Sequence, residues 1–364
     1  MYNKDIINDA LDYTRDAVTQ KIRETITQKK NITGAYQPLY ELLADYPFRK
    51  GKTLRPALCI SVARAAGGLG HSALVSSTAL ELYHNAFLIH DDIEDGSENR
   101  RGKQTLHKLI GVPRAVNIGD ATNVLAVSLL LENLNTVGVA KTLHIIHEIE
   151  NMARQSVEGQ SMELDWVAAN TFGLTDKDYV TMCTKKTCWY TFIAPCRIGY
   201  IAGNYLWKEE DIVEHLGKLT EFGMMLGIAF QIQDDLLNLL GKEDQYGKEI
   251  GGDIFEGKRT IMLNHVLSHA GKARKKMHDI LKLARRHKKQ SEVDFILNEM
   301  HKRGSLTYGQ LLAQQYAAKA KTLLDGMTFL EPSSGIKPGE IWGSEVVDYR
   351  FLRELVNYVI ERNL

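Results

Sequence analysis

Residues that interrupt helices are scarce in this chain. Only 7 prolines fall in 364 residues, and long stretches contain neither Pro nor Gly. Proline removes a backbone donor and clashes with the preceding turn, and glycine is a poor helix former, so their shared absence favours helices over many short strands. Ile6, Ile7, Leu11, Ala17 and Ile22 recur at helical spacing and place residues 3–30 on an amphipathic helix. Runs over 53–66 and 72–95 follow, separated by the glycine-rich AAGGLG turn. Helical patterns continue through 118–135, 139–169, 176–203, 209–240, 259–271, 274–287, 290–302, 306–325 and 347–362. Connections such as SENRRGKQ and GKEDQYGKEIGGD are short; only 331–345, EPSSGIKPGEIWGSE, reads as a longer loop before a last helix. No strand-period segment competes and no internal repeat is visible. The sequence predicts one all-α domain over 1–364, a bundle of roughly a dozen helices around a central cavity.

Charge has to be read by position. Lys+Arg and Asp+Glu both number 45, so the formal net charge is zero and no global field attracts nucleic acid or an anionic membrane. The most basic segment, residues 272–289, lacks aromatic stacking partners and reads as a solvated helix face. Hydrophobic residues make up 44%, ample for a sizeable core. Cys59, Cys183, Cys188 and Cys196 form no Cys-x-x-Cys pair and read as buried apolar thiols in a reducing compartment. The N-terminal MYNKDIINDALDYTRD is too charged for a signal-peptide core. No run of about 18 uncharged apolar residues predicts a membrane span, so a cytoplasmic protein is expected.

Two acidic sites stand out. In ELYHNAFLIHDDIEDGSENRRGK (81–103), an apolar helix turns abruptly polar at Asp91, Asp92, Glu94 and Asp95. Asp91 and Asp95 are four apart and share a face, with Asp92 at its edge. Like charges on one face, at the helix end where the dipole disfavours them, cost stability unless a cation compensates. Hard oxygen ligands of this kind suit Mg²⁺ carrying waters and diphosphate oxygens. Far downstream, FQIQDDLLN carries Asp234 and Asp235, followed by KEIGGDIFEGKRT with Lys248, Asp253 and Lys258. Acidic patches on separate helices, each followed by basic residues, match a diphosphate held through bridging metals.

The order KGKTLRP, HDDIEDGSENRRGKQTLH, KKTCWYTF, FQIQDDLLN and GKEIGGDIFEGK resembles the trans-prenyl diphosphate synthase family over nearly the whole chain. The resemblance implies that Asp91, Asp92 and Asp95 form the first aspartate-rich motif and that Gln231, Asp234 and Asp235 belong to the second. It assigns Arg100 and Arg101 to diphosphate binding, Lys186 and Thr187 to the allylic diphosphate and forming cation, and Lys248 and Lys258 to the lysines trailing the second motif. Gly51, Lys52, Arg55 and His84 correspond to a metal-free site for isopentenyl diphosphate. Gln160 and Glu163 align with the family's Gln-x-x-Asp, which makes Glu163 a further candidate metal ligand through water, with Asp165 as the alternative. The second motif ends in Asn238 in place of a third aspartate, Gln104 replaces the commoner proline, and a basic C-terminal tail found in some relatives is missing.

The implied reaction is ionisation, condensation and elimination. Mg²⁺ at Asp91, Asp92, Asp95, Asp234 and Asp235 clamps an allylic diphosphate, isopentenyl diphosphate attacks the cation, and the departing diphosphate accepts the proton. The growing tail is expected to run along the helix ending at Asp91. Ala86, five positions before it, leaves open a spot that a large aromatic would close, while Phe87 and Tyr83 offer bulk that stops the tail deeper. The expected product is C20 geranylgeranyl diphosphate, with C15 farnesyl diphosphate as the alternative. A class I terpene cyclase and a non-catalytic partner subunit are the competing readings; a homodimer is expected by family analogy.

Overall fold

The computed structural model describes residues 3–49, 51–204, 209–241, 250–330 and 348–361. The architecture is all-α, as expected. The N-terminal elements are α1 (Lys4–Lys30), α2 (Gln37–Leu43), α3 (Leu54–Ala65), α4 (Gly70–Glu94), α5 (Leu106–Ile110), α6 (Val112–Leu130), α7 (Asn133–Thr136) and α8 (Val139–Ala168). After α9 (Asp176–Cys183) the chain widens into a π-helical run, Thr184–Ile193, and returns to α10 (Ala194–Gly203). The remainder comprises α11 (Glu209–Leu240), α12 (Gly252–Glu256), α13 (Ile261–His269), α14 (Arg274–Leu281), α15 (Gln290–Lys302), α16 (Ser305–Asp325) and α17 (Tyr349–Glu361). A two-residue ladder, Asn99↔Gln104 and Arg100↔Lys103, lies between α4 and α5. The loop expected at 331–345 falls outside the described residues.

Local chemistry accounts for many of the boundaries. Asn3 caps α1 by accepting from the amides of Asp5 and Ile6. Proline stands in the first turn of α2, α6 and α10, where its missing N–H costs nothing. Pro113 therefore starts α6 six residues before the expected 118, because a proline read as an interruption is here an initiator.

Two apolar clusters flank the interior. One gathers side chains of α1, α3, α4, α6 and α10 with the buried face of α17; the other lies among α9, α11 and α12–α16. Helix α4 packs on α3 and α6, while α11 packs on the π-helical run and α16. Close approach of the π-helical run depends on glycine. A Cβ on Gly159 of α8 would lie 2.3 Å from the Lys186 backbone nitrogen, and one on Gly227 of α11 would lie 2.6 Å from Cys188 Sγ. The run is thereby wedged between α8 and α11, the placement that brings Lys186 and Thr187 beside both acidic helices.

Val112–Thr136 is the one described stretch long and apolar enough to cross a membrane by length and composition. Its inner face, with Ala115, Ile118, Leu125 and Leu129, is buried in the fold.

Candidate active site

A cavity of 1520 Å³ opens between the two clusters, and most of the residues singled out in the sequence line it. Asp91 faces it from the end of α4, with the Lys186 ammonium 3.6 Å from one carboxylate oxygen and an Arg100 nitrogen 3.5 Å from the other. Lys186 also ion-pairs with Glu163 of α8. Burial alone would pull the Lys186 pKa down, but Glu163 and Asp91 hold it above its ordinary value. Asp95 accepts from Lys258 Nζ at 2.6 Å, and Glu256 stands 2.8 Å from the same ammonium. Burial, with help from Asp91, pushes the Asp95 carboxyl up to about 7 against the pull of Lys258.

Asp92 is placed differently from Asp91. It is fully buried and, like Asp95, is not among the residues lining the cavity. Arg100 Nε donates to both its oxygens at 3.0 and 3.1 Å, and the Tyr46 hydroxyl donates to Oδ2 at 2.6 Å. The helical turn that aligns Asp91 with Asp95 rotates Asp92 into the protein, where Arg100 and Tyr46 occupy the carboxylate.

On the opposite wall, α11 presents a hydrogen-bonded chain. Thr187 Oγ1 donates to Gln231 Oε1 at 2.8 Å, and Gln231 Nε2 donates to Asp235 Oδ1 at 2.7 Å. Tyr179 donates to Asp235 Oδ2 at 2.8 Å. Burial raises the Asp235 pKa well above the carboxylate range, and Asp253 and Asp234 add to it. Asp234 and Asp253 line the same wall. Asn238, the departure from a third aspartate, accepts the Asp253 amide at 3.0 Å through Oδ1, and its own carbonyl accepts from Gly251. It is 3% exposed and works as a strut under the segment that carries Asp253. Lys248 lies outside the described residues.

Arg259 braces the segment bearing Lys258. It is the largest fully buried side chain, donating to the Thr171 carbonyl at 2.8 Å and to Asn170 Oδ1 at 2.6 Å, and also to the Gly257 carbonyl. Neither Arg259 nor Tyr46 nor Tyr179 stands out in the sequence, since each is an ordinary residue in its helix or loop until its partner is known.

A separate wall is basic and carries no carboxylate pair. Arg55 lies over Tyr190 at 4.4 Å and donates to Thr191 Oγ1 at 2.8 Å, while its Nε has no hydrogen-bond partner among the described residues. Arg101 donates to the Arg49 carbonyl at 3.1 Å and packs so tightly on Gly51 that a Cβ there would meet its guanidinium at 2.8 Å. His84 stacks on Tyr190 with centroids 5.9 Å apart, and its buried Nδ1 also lacks a partner. Burial, together with Arg55, Arg101 and Arg100, lowers the His84 pKa, so the ring is neutral. Lys52 reaches across to the Tyr358 hydroxyl at 2.9 Å. Glu81 stands on this wall, and burial raises its pKa against the pull of Arg55 and Arg101.

Thr53 and Arg101 both have positive φ, at 48° and 53°, and both line the cavity. Each such conformation costs about 1–2 kcal/mol in a non-glycine residue, and strain of this kind concentrates where a ligand is held.

The donor set suits a hard divalent cation. Within each patch the carboxylates oppose one another's ionisation, Asp91 and Glu256 acting on Asp95 and Asp253 and Asp234 on Asp235, so a cation would relieve the repulsion. Among the described residues no three His, Cys, Asp or Glu side chains converge on one point. Of the expected chain-length residues, Phe87 lines the cavity, Tyr83 lies behind it at 6.2 Å between ring centroids, and Ala86 is fully buried off the wall.

A family model described as polyprenyl synthetase matches residues 37–300. A geranylgeranyl diphosphate synthase of Saccharolobus solfataricus is 35% identical over 272 residues, 73% of this chain and 77% of its own length. An octaprenyl diphosphate synthase of Escherichia coli is 30% identical over 270 residues, 74% of this chain and 78% of its own length. The crystal structure of a geranylgeranyl pyrophosphate synthetase from Pyrococcus horikoshii is similar with a TM-score of 0.81 at 28% identity, covering 99% of both chains.

Proposed function

The chain belongs to the polyprenyl synthetase family, and within it we propose a magnesium-dependent trans-prenyltransferase that joins isopentenyl diphosphate to an allylic diphosphate, with C20 geranylgeranyl diphosphate as the main product. The observation that carries this reading is the division of one cavity into two kinds of wall. Facing carboxylates with Lys186 and Lys258 suit a diphosphate that must leave, whereas Lys52, Arg55, His84 and Arg101 suit one that must stay.

Asp91, Asp95, Asp234 and Asp235, with Glu163 and Asp253 beside them, would hold magnesium, which would supply Lewis-acid neutralisation of the leaving diphosphate. The residues of the chain do the rest. Lys186 and Lys258 keep their charge in a buried site and line the same cavity. Thr187 spends its proton on Gln231, so its oxygen lone pairs remain to stabilise positive charge developing in the cavity. Arg55 and Arg101 fix the second diphosphate by direct charge-assisted hydrogen bonds. His84 is held neutral with its basicity suppressed, which leaves a diphosphate oxygen as the proton acceptor. Arg100, tied to Asp92, is oriented toward Asp91.

Incubating the purified chain with both diphosphates and Mg²⁺, then chromatographing the dephosphorylated product, tests the proposal. A C20 alcohol is expected, and excess chelator is expected to abolish its formation. Undiminished turnover in chelator overturns the metal assignment. Absence of condensation favours the non-catalytic subunit instead.

A homodimer in the cytoplasm completes the reading. All four cysteines are free and buried, in keeping with a reducing compartment. The outer face of Val112–Thr136 exposes Val116, Val124, Val127, Leu131 and Leu134, and α8 exposes Val139, Leu143 and Ile146. Scattered apolar residues need no explanation, but this many exposed at helical spacing along consecutive helices fits a self-complementary contact with a second copy. Val124→Glu combined with Val127→Glu is expected to convert a dimer to monomer by light scattering. An unchanged mass places the contact elsewhere.

A further inference from the structure

We infer that Tyr358, in the last described helix, is a positioning residue of the isopentenyl diphosphate site, its hydroxyl fixing the Lys52 ammonium at the cavity wall. The inference deepens the assignment of Lys52 proposed above and rests on it. Lys52 Nζ donates to the Tyr358 hydroxyl at 2.9 Å and lies 5.7 Å from the centre of its ring. Both residues line the cavity with Arg55 and Arg101.

Lysine needs such an anchor more than the neighbouring arginines do. Lys52 is exposed, and an ammonium on a flexible four-carbon stem loses considerable rotamer freedom when it is fixed. Arg55 and Arg101 are already held by Thr191, Tyr190 and the Arg49 carbonyl. The ammonium has three donors, so one can remain on Tyr358 while two reach a diphosphate.

Tyr358 is itself firmly placed. Phe351, Leu355 and Val359 seat α17 in the core, and Tyr358 is 9% exposed. Glu354 of the same helix accepts the Asn3 amide at 2.7 Å, joining α17 to the start of α1. Helix α1 in turn accepts from Thr53, next to Lys52, through the Leu11 carbonyl at 3.2 Å. Both ends of the described chain therefore converge on one lysine. A tyrosine on the apolar face of an amphipathic helix reads as core in the sequence; only its partner reveals the second role.

Calorimetric titration with isopentenyl diphosphate, without metal or allylic substrate, tests this in the wild type, Tyr358→Phe, Lys52→Ala and the double variant. Phenylalanine keeps the ring and removes only the hydroxyl. Tyr358→Phe is expected to weaken binding about fivefold, and to weaken it no further once Lys52 is alanine. In steady-state assays it should raise the isopentenyl diphosphate KM by a similar factor, with the allylic KM and kcat within twofold of wild type. Unchanged affinity, or a loss that persists in the Lys52→Ala background, overturns the inference. So does a wild type that binds no isopentenyl diphosphate. A wild type that binds it but performs no condensation refutes the proposed reaction while leaving the Tyr358 assignment to be judged by binding.

Discussion

Asp91→Ala is expected to lower turnover on the order of a thousandfold while the fold persists, and Asp92→Ala, one residue along, is expected to fail chiefly by losing stability. Asp91 faces the cavity, and its two nearest cationic neighbours, Lys186 at 3.6 Å and Arg100 at 3.5 Å, each have a second carboxylate partner. Removing it takes away a metal-binding oxygen without stranding a buried charge, so the loss falls on the transition state. Asp92 is fully buried against Arg100, whose side chain is 9% exposed. Truncating one partner of such a pair leaves the other uncompensated and costs about 3–5 kcal/mol. Asp235→Asn should resemble Asp91→Ala in activity, with a melting temperature equal to or above wild type. Burial raises the Asp235 pKa, and Asp253 and Asp234 add to it, so its ionised form is a burden on the folded state. Thermal melts read beside kcat check all three. A melting temperature for Asp92→Ala equal to that of Asp91→Ala contradicts the division of roles.

That division marks how far the site was legible in the sequence. Helical periodicity aligns Asp91 with Asp95 and places Asp92 at the edge, but periodicity alone does not tell whether an edge residue turns toward solvent or inward. The answer lies in Tyr46 and Arg100, which belong to other elements and come together with Asp92 only in the fold. The run over 176–203 shows the same limit in the backbone. It is one continuous helical passage, as its composition implies, yet its middle is π-helical. Wider turns carry Lys186 and Thr187, and the room for them is left by Gly159 and Gly227 on adjoining helices. Short elements escaped for a different reason. Gln37–Leu43, Leu106–Ile110 and the Asn99–Gln104 hairpin are too brief for a repeating pattern to emerge. The basic wall was legible as residue types at a characteristic spacing, whereas the means by which Lys52 is held was not.

Phe87→Ala is expected to lengthen the product beyond C20, and the geometry sharpens why this position matters. Phe87 lines the cavity, braced by Tyr83 at 6.2 Å and edge-on to Tyr190 at 5.6 Å. An aromatic ring in a packed wall resists displacement, so a growing tail that meets it stops unless the ring is removed. Ala86 is expected to carry less of the control than its position in the sequence suggests. It is fully buried off the wall, so Ala86→Phe must force a ring into closed packing. Overpacking of that kind costs about 1–3 kcal/mol, and any shortening of the product would be transmitted through a displaced Phe87. The same wall brings a side effect. Tyr190 supports both Arg55 and His84, so loss of Phe87 should also weaken isopentenyl diphosphate binding. Chromatography of the dephosphorylated products, read beside the isopentenyl diphosphate KM, separates the cases. Longer products together with a raised KM place the floor at Phe87. An unchanged product distribution moves it to another helix, and a raised KM alone limits Phe87 to bracing Tyr190.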